Sequence, residues 1–215
     1  MDLTQTSTEF KVAKRIVKVK EEVKAPRPPK GTPKKPSVDP ELEPIRRAMA
    51  GDAAILVHAS RDDQILACVK LFEEYGIKPV LIDCDDIHKV ASQISGRVAG
   101  ALIPSNRMVV TERNGRQRNR MIEVSEAGIP VGFVSQAEEG AAELGVLAAR
   151  AVARGLAPLV ALRGLTSDTA TMLRIQDRVG TLEPGMDADI LIFDGSPMEL
   201  SSSIQRVFVN GKEIR

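Results

Sequence analysis

The sequence predicts an α/β fold in which four strand–helix units form a parallel sheet, followed by a short β-rich C-terminal region. Apolar runs of strand length begin at positions 53, 79, 100 and 130, and most are followed by stretches with helical hydrophobic periodicity. The runs are continuously apolar rather than alternating, which is typical of strands covered on both faces of a parallel sheet. Towards the C-terminus the pattern changes to short strands separated by turn signals.

Residues 1–45 are predicted to be a basic, proline-rich arm. Residues 1–50 carry 12 Lys and Arg against 7 Asp and Glu, whereas the whole chain has 30 and 29. Seven of the 13 prolines lie between positions 26 and 44, which favours an extended linker. Residues 10–23 alternate apolar and basic side chains, and a short amphipathic helix and a β-rich edge both remain open. A docking segment or nucleic-acid arm is one interpretation; a solvated basic helix that covers apolar surface is the one we favour.

The first strand–helix unit places a histidine at the end of a buried strand. The strand is predicted over 53–57 and precedes His58. The helix is predicted over 61–75, with Ser60 as its N-cap and Gly76 as its C-terminal stop. In a parallel sheet of this kind, residues at the carboxyl ends of strands form the functional face.

The remaining units repeat the same pattern. Their strands are predicted over 79–82, 100–103 and 130–134, and their helices over 86–94 and 141–154. Doubly wound sheets and (β/α)8 barrels both contain such repeats. Four units amount to half of a barrel, which needs about 250 residues in full. Open sheet edges are then expected, and they favour pairing with another chain.

The C-terminal region is predicted to end in a small β appendage. Two short helices are predicted over 158–164 and 166–173, and strands over 178–182, 189–193 and 206–209. Pro184-Gly185 suits a type II turn and Asn210-Gly211 a type I′ hairpin.

Composition excludes several classes of function. The net charge is +1, aromatic residues make up 3% of the chain, and there is no tryptophan, so a nucleic-acid-binding surface is not expected. No apolar run approaches the ~18 residues of a membrane span. The two cysteines, Cys68 and Cys84, are too few for a disulfide framework or a cysteine-rich zinc module, and we expect a cytoplasmic protein.

Two C-terminal segments carry a resemblance to a known family. Residues 161–166, ALRGLT, and 178–195, RVGTLEPGMDADILIFDG, closely resemble the C-terminal signature of the amidohydrolase superfamily in its imidazolonepropionase-like branch. The ending VFVNGK at 207–212 strengthens the match. The resemblance covers roughly residues 40–215. It implies a partial, half TIM-type (β/α) barrel over 46–175 and, over 176–215, strands of the family's composite β-sandwich.

The resemblance also implies candidate metal ligands at two strand ends. The family usually places a metal-binding histidine where this chain has His58, and another histidine where it has Asp83. A hydrogen-bonded histidine at the barrel mouth is the alternative interpretation of His58. Cys84 is a possible thiolate ligand, and Asp85 or Asp86 is expected to cap the following helix.

Other expected ligands are missing from this sequence. Gln136 stands where the family's last strand carries an aspartate that binds metal and accepts a proton from the attacking water, and a neutral amide does neither task well. The family's His-x-His pair is also absent, because His58 and His88 are the only histidines. An arginine-rich stretch over 107–120 is interpreted as either an anion-binding loop or a solvated hairpin around Asn114-Gly115, and we favour the second.

These observations lead to two hypotheses on function. The first is a hydrolase of C–N bonds in cyclic amide-like compounds that uses a divalent zinc, iron or manganese ion. It would obtain the missing ligands from a partner chain, either a second copy or a complementary amidohydrolase subunit. The alternative is a catalytically inactive homologue that serves as a scaffold or regulatory subunit. In both cases the isolated chain is expected to self-associate through its open sheet edge.

Overall fold

The computed structural model describes residues 39–111, 114–115, 117–135, 140–199 and 201–215. The predicted arm up to residue 38 and Gln136 lie outside these residues. The chain divides into two compact units, residues 1–53 and residues 54–215. Among the described helices, none has the length and apolar character that crossing a bilayer requires.

The described part of the first unit contains one helix, α1 (Glu43–Ala50). Pro44 occupies its first turn, where the missing N–H has no intrahelical partner to lose. Gly51 ends the helix with a φ of 86°, a left-handed conformation that glycine adopts without steric cost.

The second unit is built on a four-stranded parallel sheet. The strands of the unit are β1 (Leu56–His58), β2 (Val80–Ile82), β3 (Gly100–Pro104), β4 (Val109–Thr111), β5 (Gln117–Asn119), β6 (Val131–Val134), β7 (Ile190–Phe193), β8 (Ile204–Val209) and β9 (Lys212–Glu213). The parallel sheet has the order β1-β2-β3-β6. Each strand therefore pairs with the next parallel strand along the chain, as in a (β/α) barrel, whereas a doubly wound sheet reverses direction at a switch point. The predicted partial barrel is confirmed, and the described strands do not close into a full one.

One face of this sheet, the outer face, is covered by helices. The helices of the unit are α2 (Asp62–Glu73), α3 (Ile87–Ile94), α4 (Arg120–Glu126), α5 (Ala141–Val152), α6 (Pro158–Leu165) and α7 (Ser167–Met172). Leu81, Ile103 and Phe133 point from the strands into the main hydrophobic cluster, which also contains side chains of α2 to α6. Burying these apolar surfaces is the main source of stability in the unit.

The opposite face, the inner face, carries a smaller cluster. Val80 and Leu102 pack there with Met172 of α7. Gly100 and Gly132 lie on the same face, and a Cβ atom added to either would overlap a side chain of α7. The short helix therefore covers part of the surface that the strands of a barrel enclose.

A hairpin interrupts the alternation of strands and helices. After β3 the chain forms a 3-10 helix over Ser105–Arg107, and the antiparallel strands β4 and β5 follow before α4. The hairpin expected around Asn114-Gly115 is thus present. It lies in the loop at the carboxyl end of β3, the side of such sheets where functional residues gather.

Two local predictions are wrong. Arg61, not Ser60, is the N-cap of α2, and its backbone N–H donates to Gln64 Oε1 at 3.3 Å. The predicted strand 178–182 is absent: Gly180 has a φ of 106°, outside the extended region, and Leu182 is 81% exposed. A strand needs a continuous extended backbone and a partner, and this segment has only turns and bends.

The C-terminal strands β7, β8 and β9 form an antiparallel sheet. The turn between β8 and β9 has positive φ angles at both Asn210 and Gly211, 50° and 75°. This is the requirement of a type I′ hairpin turn, as predicted.

Candidate functional site

The structure brings together the two residues predicted as metal ligands. His58 is the last residue of β1 and pairs in register with Ile82, so Asp83 follows directly beyond the neighbouring strand end. The Nε2 atom of His58 lies 3.0 Å from Oδ2 of Asp83. A carboxylate only accepts, so this contact is a hydrogen bond when the imidazole carries its proton on Nε2. The His58 side chain is 58% exposed, whereas that of Asp83 is 24% exposed.

The second oxygen of Asp83 faces an arginine from the next loop. Arg107, in the 3-10 helix after β3, places its Nε atom 3.2 Å from Asp83 Oδ1. The geometry is that of an ion pair without a hydrogen bond, because Oδ1 is buried and has no hydrogen-bond partner among the described residues. Asp83 therefore lies between an imidazole and a guanidinium, and three consecutive strand ends supply the three side chains.

Asp85 connects Arg107 to the start of α4, directly after the hairpin. It forms an ion pair with Arg107 and a second, at 3.4 Å, with Arg120 at the start of α4. Arg120 also donates from Nη1 to the backbone oxygen of Arg107 at 2.9 Å. The Arg120 side chain is only 12% exposed, and its burial lowers its pKa. Asp85 thus ties the segment around the hairpin to the β2–α3 loop, and of the two residues predicted as alternative caps it is not the one at the N-cap position.

Asp86 occupies the N-cap position of α3, as one of the two predicted alternatives states. Its side chain makes no capping hydrogen bond and instead pairs with Lys89 at 2.8 Å. That contact lowers the pKa of Asp86. The Asp86 carboxylate is therefore engaged in an ion pair on the helix surface and is not part of the cluster around Asp83.

Cys84 does not have the properties of a thiolate ligand. The residue is buried, and burial raises the pKa of its thiol to about 11. Its Sγ atom donates to the backbone oxygen of Ile82 at 3.4 Å. A thiol with this pKa is protonated at neutral pH in the metal-free protein, so a metal would have to displace its proton in order to bind.

His88, the other histidine, belongs to α3 rather than to this site. It is half-buried, and burial lowers its pKa. Its Nδ1 atom is buried without a hydrogen-bond partner among the described residues.

His58 and Asp83 provide two donors of the kind that bind a divalent metal. Two ligands on one tetrahedral zinc ion lie roughly 3.3 Å apart, since metal–nitrogen and metal–oxygen bonds are about 2.0–2.2 Å. The observed 3.0 Å is close to this spacing. Within the described ranges, no group of three or more His, Cys, Asp or Glu side chains is arranged to hold a metal.

The arginine-rich stretch and Gln136 were the other features predicted from the sequence. In the arginine-rich stretch, Arg107, Arg118 and Arg120 all pair with carboxylates, Arg118 with Glu123 at 2.6 Å, while Arg113 and Arg116 lie outside the described residues. Gln136, proposed at the position of the missing carboxylate, also lies outside them, as do the two glutamates that follow it.

Sequence reasoning missed the role of Arg107. The residue was grouped with a solvated charge run, yet it contacts Asp83 and Asp85 in the β2–α3 loop. Its position three residues beyond β3 was the available signal, because neighbouring parallel strands end at the same edge of a sheet.

Comparisons with known proteins agree with this architecture. The sequence profile of the amidohydrolase family matches residues 46–214. A 64-residue stretch, 30% of this chain, is 39% identical to adenine deaminase 1 of Latilactobacillus sakei subsp. sakei strain 23K and covers 10% of that protein.

Solved structures show the same fold. An amidohydrolase from Thermotoga maritima MSB8 superposes with a TM-score of 0.73 at 22% identity, over 96% of this chain and 53% of that protein. A prolidase complexed with N-methylphosphonate-L-proline gives a TM-score of 0.55 at 17% identity, over 80% of this chain and 47% of that one. The chain thus spans about half the length of these two proteins. With most of its residues matched by one family profile and its sheet ordered as in a (β/α) barrel, the chain belongs to the amidohydrolase family.

Proposed function

We propose that this chain supplies one part of the active site of a metal-dependent hydrolase that cleaves C–N bonds in cyclic amide-like compounds. The proposal rests on the His58–Asp83 pair at the carboxyl ends of β1 and β2 in a chain of this family. Members of the family are generally metal-dependent. The local similarity to an adenine deaminase supports a substrate with a nitrogen-containing ring.

The donor chemistry of the site fits a divalent zinc, iron or manganese ion. Imidazole and carboxylate both bind these metals. His58 and Asp83 would hold such an ion, whose binding would displace the proton of their hydrogen bond. When bound, such an ion polarises the scissile carbonyl and lowers the pKa of the attacking water.

Residues of this chain would hold and orient that centre. Asp83 is kept in place by its backbone N–H, which donates to the oxygen of Leu102 at 3.3 Å. Arg107 contacts the other carboxylate oxygen and limits how the Asp83 side chain rotates. Two donors are too few for a catalytic metal site, which uses at least three protein ligands. We therefore infer that a partner chain, either a second copy or a complementary amidohydrolase subunit, supplies the remaining ligands.

One observation favours the alternative of a catalytically inactive scaffold or regulatory subunit. The guanidinium of Arg107 already places a positive charge against Asp83 and Asp85. A fixed cation there neutralises the carboxylates without a metal and competes with one through charge repulsion. The proposed position of Gln136 in the family pattern points the same way.

Metal content of the complex purified from its native host separates the two functions. We expect about one zinc, iron or manganese ion per complex by elemental analysis, lost in His58→Ala and in Asp83→Asn. His88→Ala is the matched control, because it removes the chain's other histidine and should leave the metal in place. Retention of metal in both site variants would contradict the proposed ligands. A metal-free complex that contains an intact amidohydrolase would support the scaffold function instead.

A further inference from the structure

A recess separate from the His58–Asp83 pair lies between the segment after β3 and the C-terminal end of α5. Its volume is about 130 Å³. The lining consists of three apolar side chains and three polar ones: Met108, Val109, Leu147, Asn106, Arg150 and Arg154. Neither His58 nor Asp83 belongs to it.

The apolar side chains form a floor of defined size. Met108 and Leu147 are each only 4% exposed, and Val109 is half-buried against the main hydrophobic cluster. An engineered cavity of about 150 Å³ binds benzene, so this recess has room for a chemical group of about the size of benzene. It is well below the roughly 300–1,000 Å³ of pockets that bind drug-sized ligands.

The polar side chains supply positive charge at the rim. Arg150 lies in the last turn of α5, Arg154 lies two residues beyond the end of the helix, and both side chains line the recess. Both are exposed, and neither has an ion-pair or hydrogen-bond partner for its side chain in the part of the chain that the structure describes. By contrast, Arg107, Arg118 and Arg120, the described arginines of the loop after β3, are each paired with a carboxylate.

A purely structural role accounts for only part of this arrangement. Positive side chains near the C-terminus of a helix are stabilised by its dipole. That interaction needs no recess and no apolar floor, and it does not require two guanidinium groups to share one rim. Two like charges on one rim repel each other, and an anion bound between them would remove the repulsion.

We propose that this recess binds a small monocarboxylate carried on a benzene-sized apolar group. The carboxylate is held by the Arg150 and Arg154 guanidinium groups, which match its two oxygens, and the Asn106 amide adds a further donor. The apolar body rests on Met108, Val109 and Leu147. The site does not depend on the proposed hydrolase function, because no residue is shared between them.

Titration of the full chain with benzoate, acetate and inorganic phosphate tests this site. We expect saturable benzoate binding by calorimetry, at least tenfold tighter than that of acetate or phosphate, because only benzoate occupies both the floor and the rim. Equal affinities for benzoate and acetate, or for benzoate and phosphate, would overturn the proposal.

Three variants show whether binding occurs in this recess. Arg150→Gln and Arg154→Gln should each weaken benzoate binding about tenfold or more, since each removes a charge-assisted hydrogen bond. Val109→Phe, at a strand position that tolerates an aromatic residue, should abolish binding by filling the floor. Arg178→Gln is the control, because it removes an exposed arginine that pairs with Asp187 elsewhere. Circular dichroism checks that each variant is folded, and unchanged benzoate affinity in all three folded recess variants would refute the site.

Discussion

Asp83 combines an unusual backbone conformation with the central position in the candidate site. Its φ is 55°, in the left-handed region that few residues other than glycine adopt. Aspartate tolerates this region better than most side chains, at a cost of about 1 kcal/mol. The conformation occurs immediately after β2, where the carboxylate reaches both His58 and Arg107. The contacts on both oxygens offset the local cost.

The neighbouring Cys84 is expected to be chemically inert in the folded protein. Burial raises the pKa of the thiol to about 11. At pH 7.5 its thiolate fraction is then roughly 300-fold lower than that of a free cysteine with a pKa near 8.5. Iodoacetamide should therefore modify Cys84 far more slowly in the native chain than in the urea-unfolded chain, as followed by mass spectrometry. The rate should rise as the pH increases towards 11.

Cys68 provides an internal comparison for this measurement. It lies on α2 and is partly exposed, whereas Cys84 is buried. Modification of native Cys84 at the rate of an unfolded cysteine at pH 7.5 would show that the thiolate is accessible, and would reopen its interpretation as a metal ligand.

At the scale of elements, the approach of α6 to β6 depends on a glycine. A Cβ atom at Gly164 would lie 2.5 Å from the backbone oxygen of Val131 and 3.3 Å from a ring carbon of Phe133. Backbone atoms of β6, which is hydrogen-bonded to β3, cannot move aside without disturbing the sheet. The helix therefore packs at a distance that any side chain at this position would prevent.

Two glycine-to-alanine changes on adjacent helices should have opposite effects. Gly164→Ala should lower the free energy of unfolding by about 1–3 kcal/mol, because it forces α6 away from β6. Gly145→Ala on α5, where an added Cβ meets no atom within 4 Å, should raise it by about 0.5–1 kcal/mol through better helix propensity.

Urea denaturation of both variants and the parent chain measures these differences. Equal effects of the two changes would mean that helix propensity, rather than the contact with β6, dominates at Gly164. A Gly164→Ala variant with the same free energy of unfolding as the parent chain would show that α6 packs less closely against β6 than these distances indicate.

At the scale of the whole molecule, β1 is an edge strand of the parallel sheet and has a neighbour on one side only in the described part of the chain. In the described residues β1 pairs only with β2, and its side chains are more exposed than those of β2 or β3. Leu56 is 47% exposed although it lies in a strand of the central sheet. An exposed apolar strand edge is a template for pairing with another chain.

We therefore expect the isolated chain to associate in a concentration-dependent way. Leu56→Lys should shift the chain towards the monomer, because a charged side chain at a sheet edge opposes pairing. Leu182→Lys is the matched control, since Leu182 is 81% exposed but lies outside any strand. Light scattering after size-exclusion chromatography measures the mass of each variant. A parent chain that stays monomeric at all concentrations would contradict association through this edge.

Local patterns in the sequence were sufficient for most of the secondary structure, whereas the partial barrel was implied only by the family resemblance, because strand–helix repeats fit both barrels and doubly wound sheets. The apolar runs at 79–82, 100–103 and 130–134 correspond to β2, β3 and β6, because a strand buried on both faces has to be apolar throughout. The positions of His58 and Asp83 at neighbouring strand ends follow from the same pattern. The strand predicted over 178–182 is absent. Its residue types are compatible with a strand, but the backbone conformation of Gly180 is not extended.

The sequence by itself determined the repeat of strands and helices, the family and the two candidate ligands, because each depends on the order of residues along the chain. Only the tertiary structure decided which partner each charged side chain has. It placed Arg107 against Asp83 and Asp85, buried the Cys84 thiol, and brought Arg150 and Arg154 together in the lining of one recess. The physical reason is that charge pairing and desolvation depend on distances between segments far apart in sequence, which local periodicity does not encode.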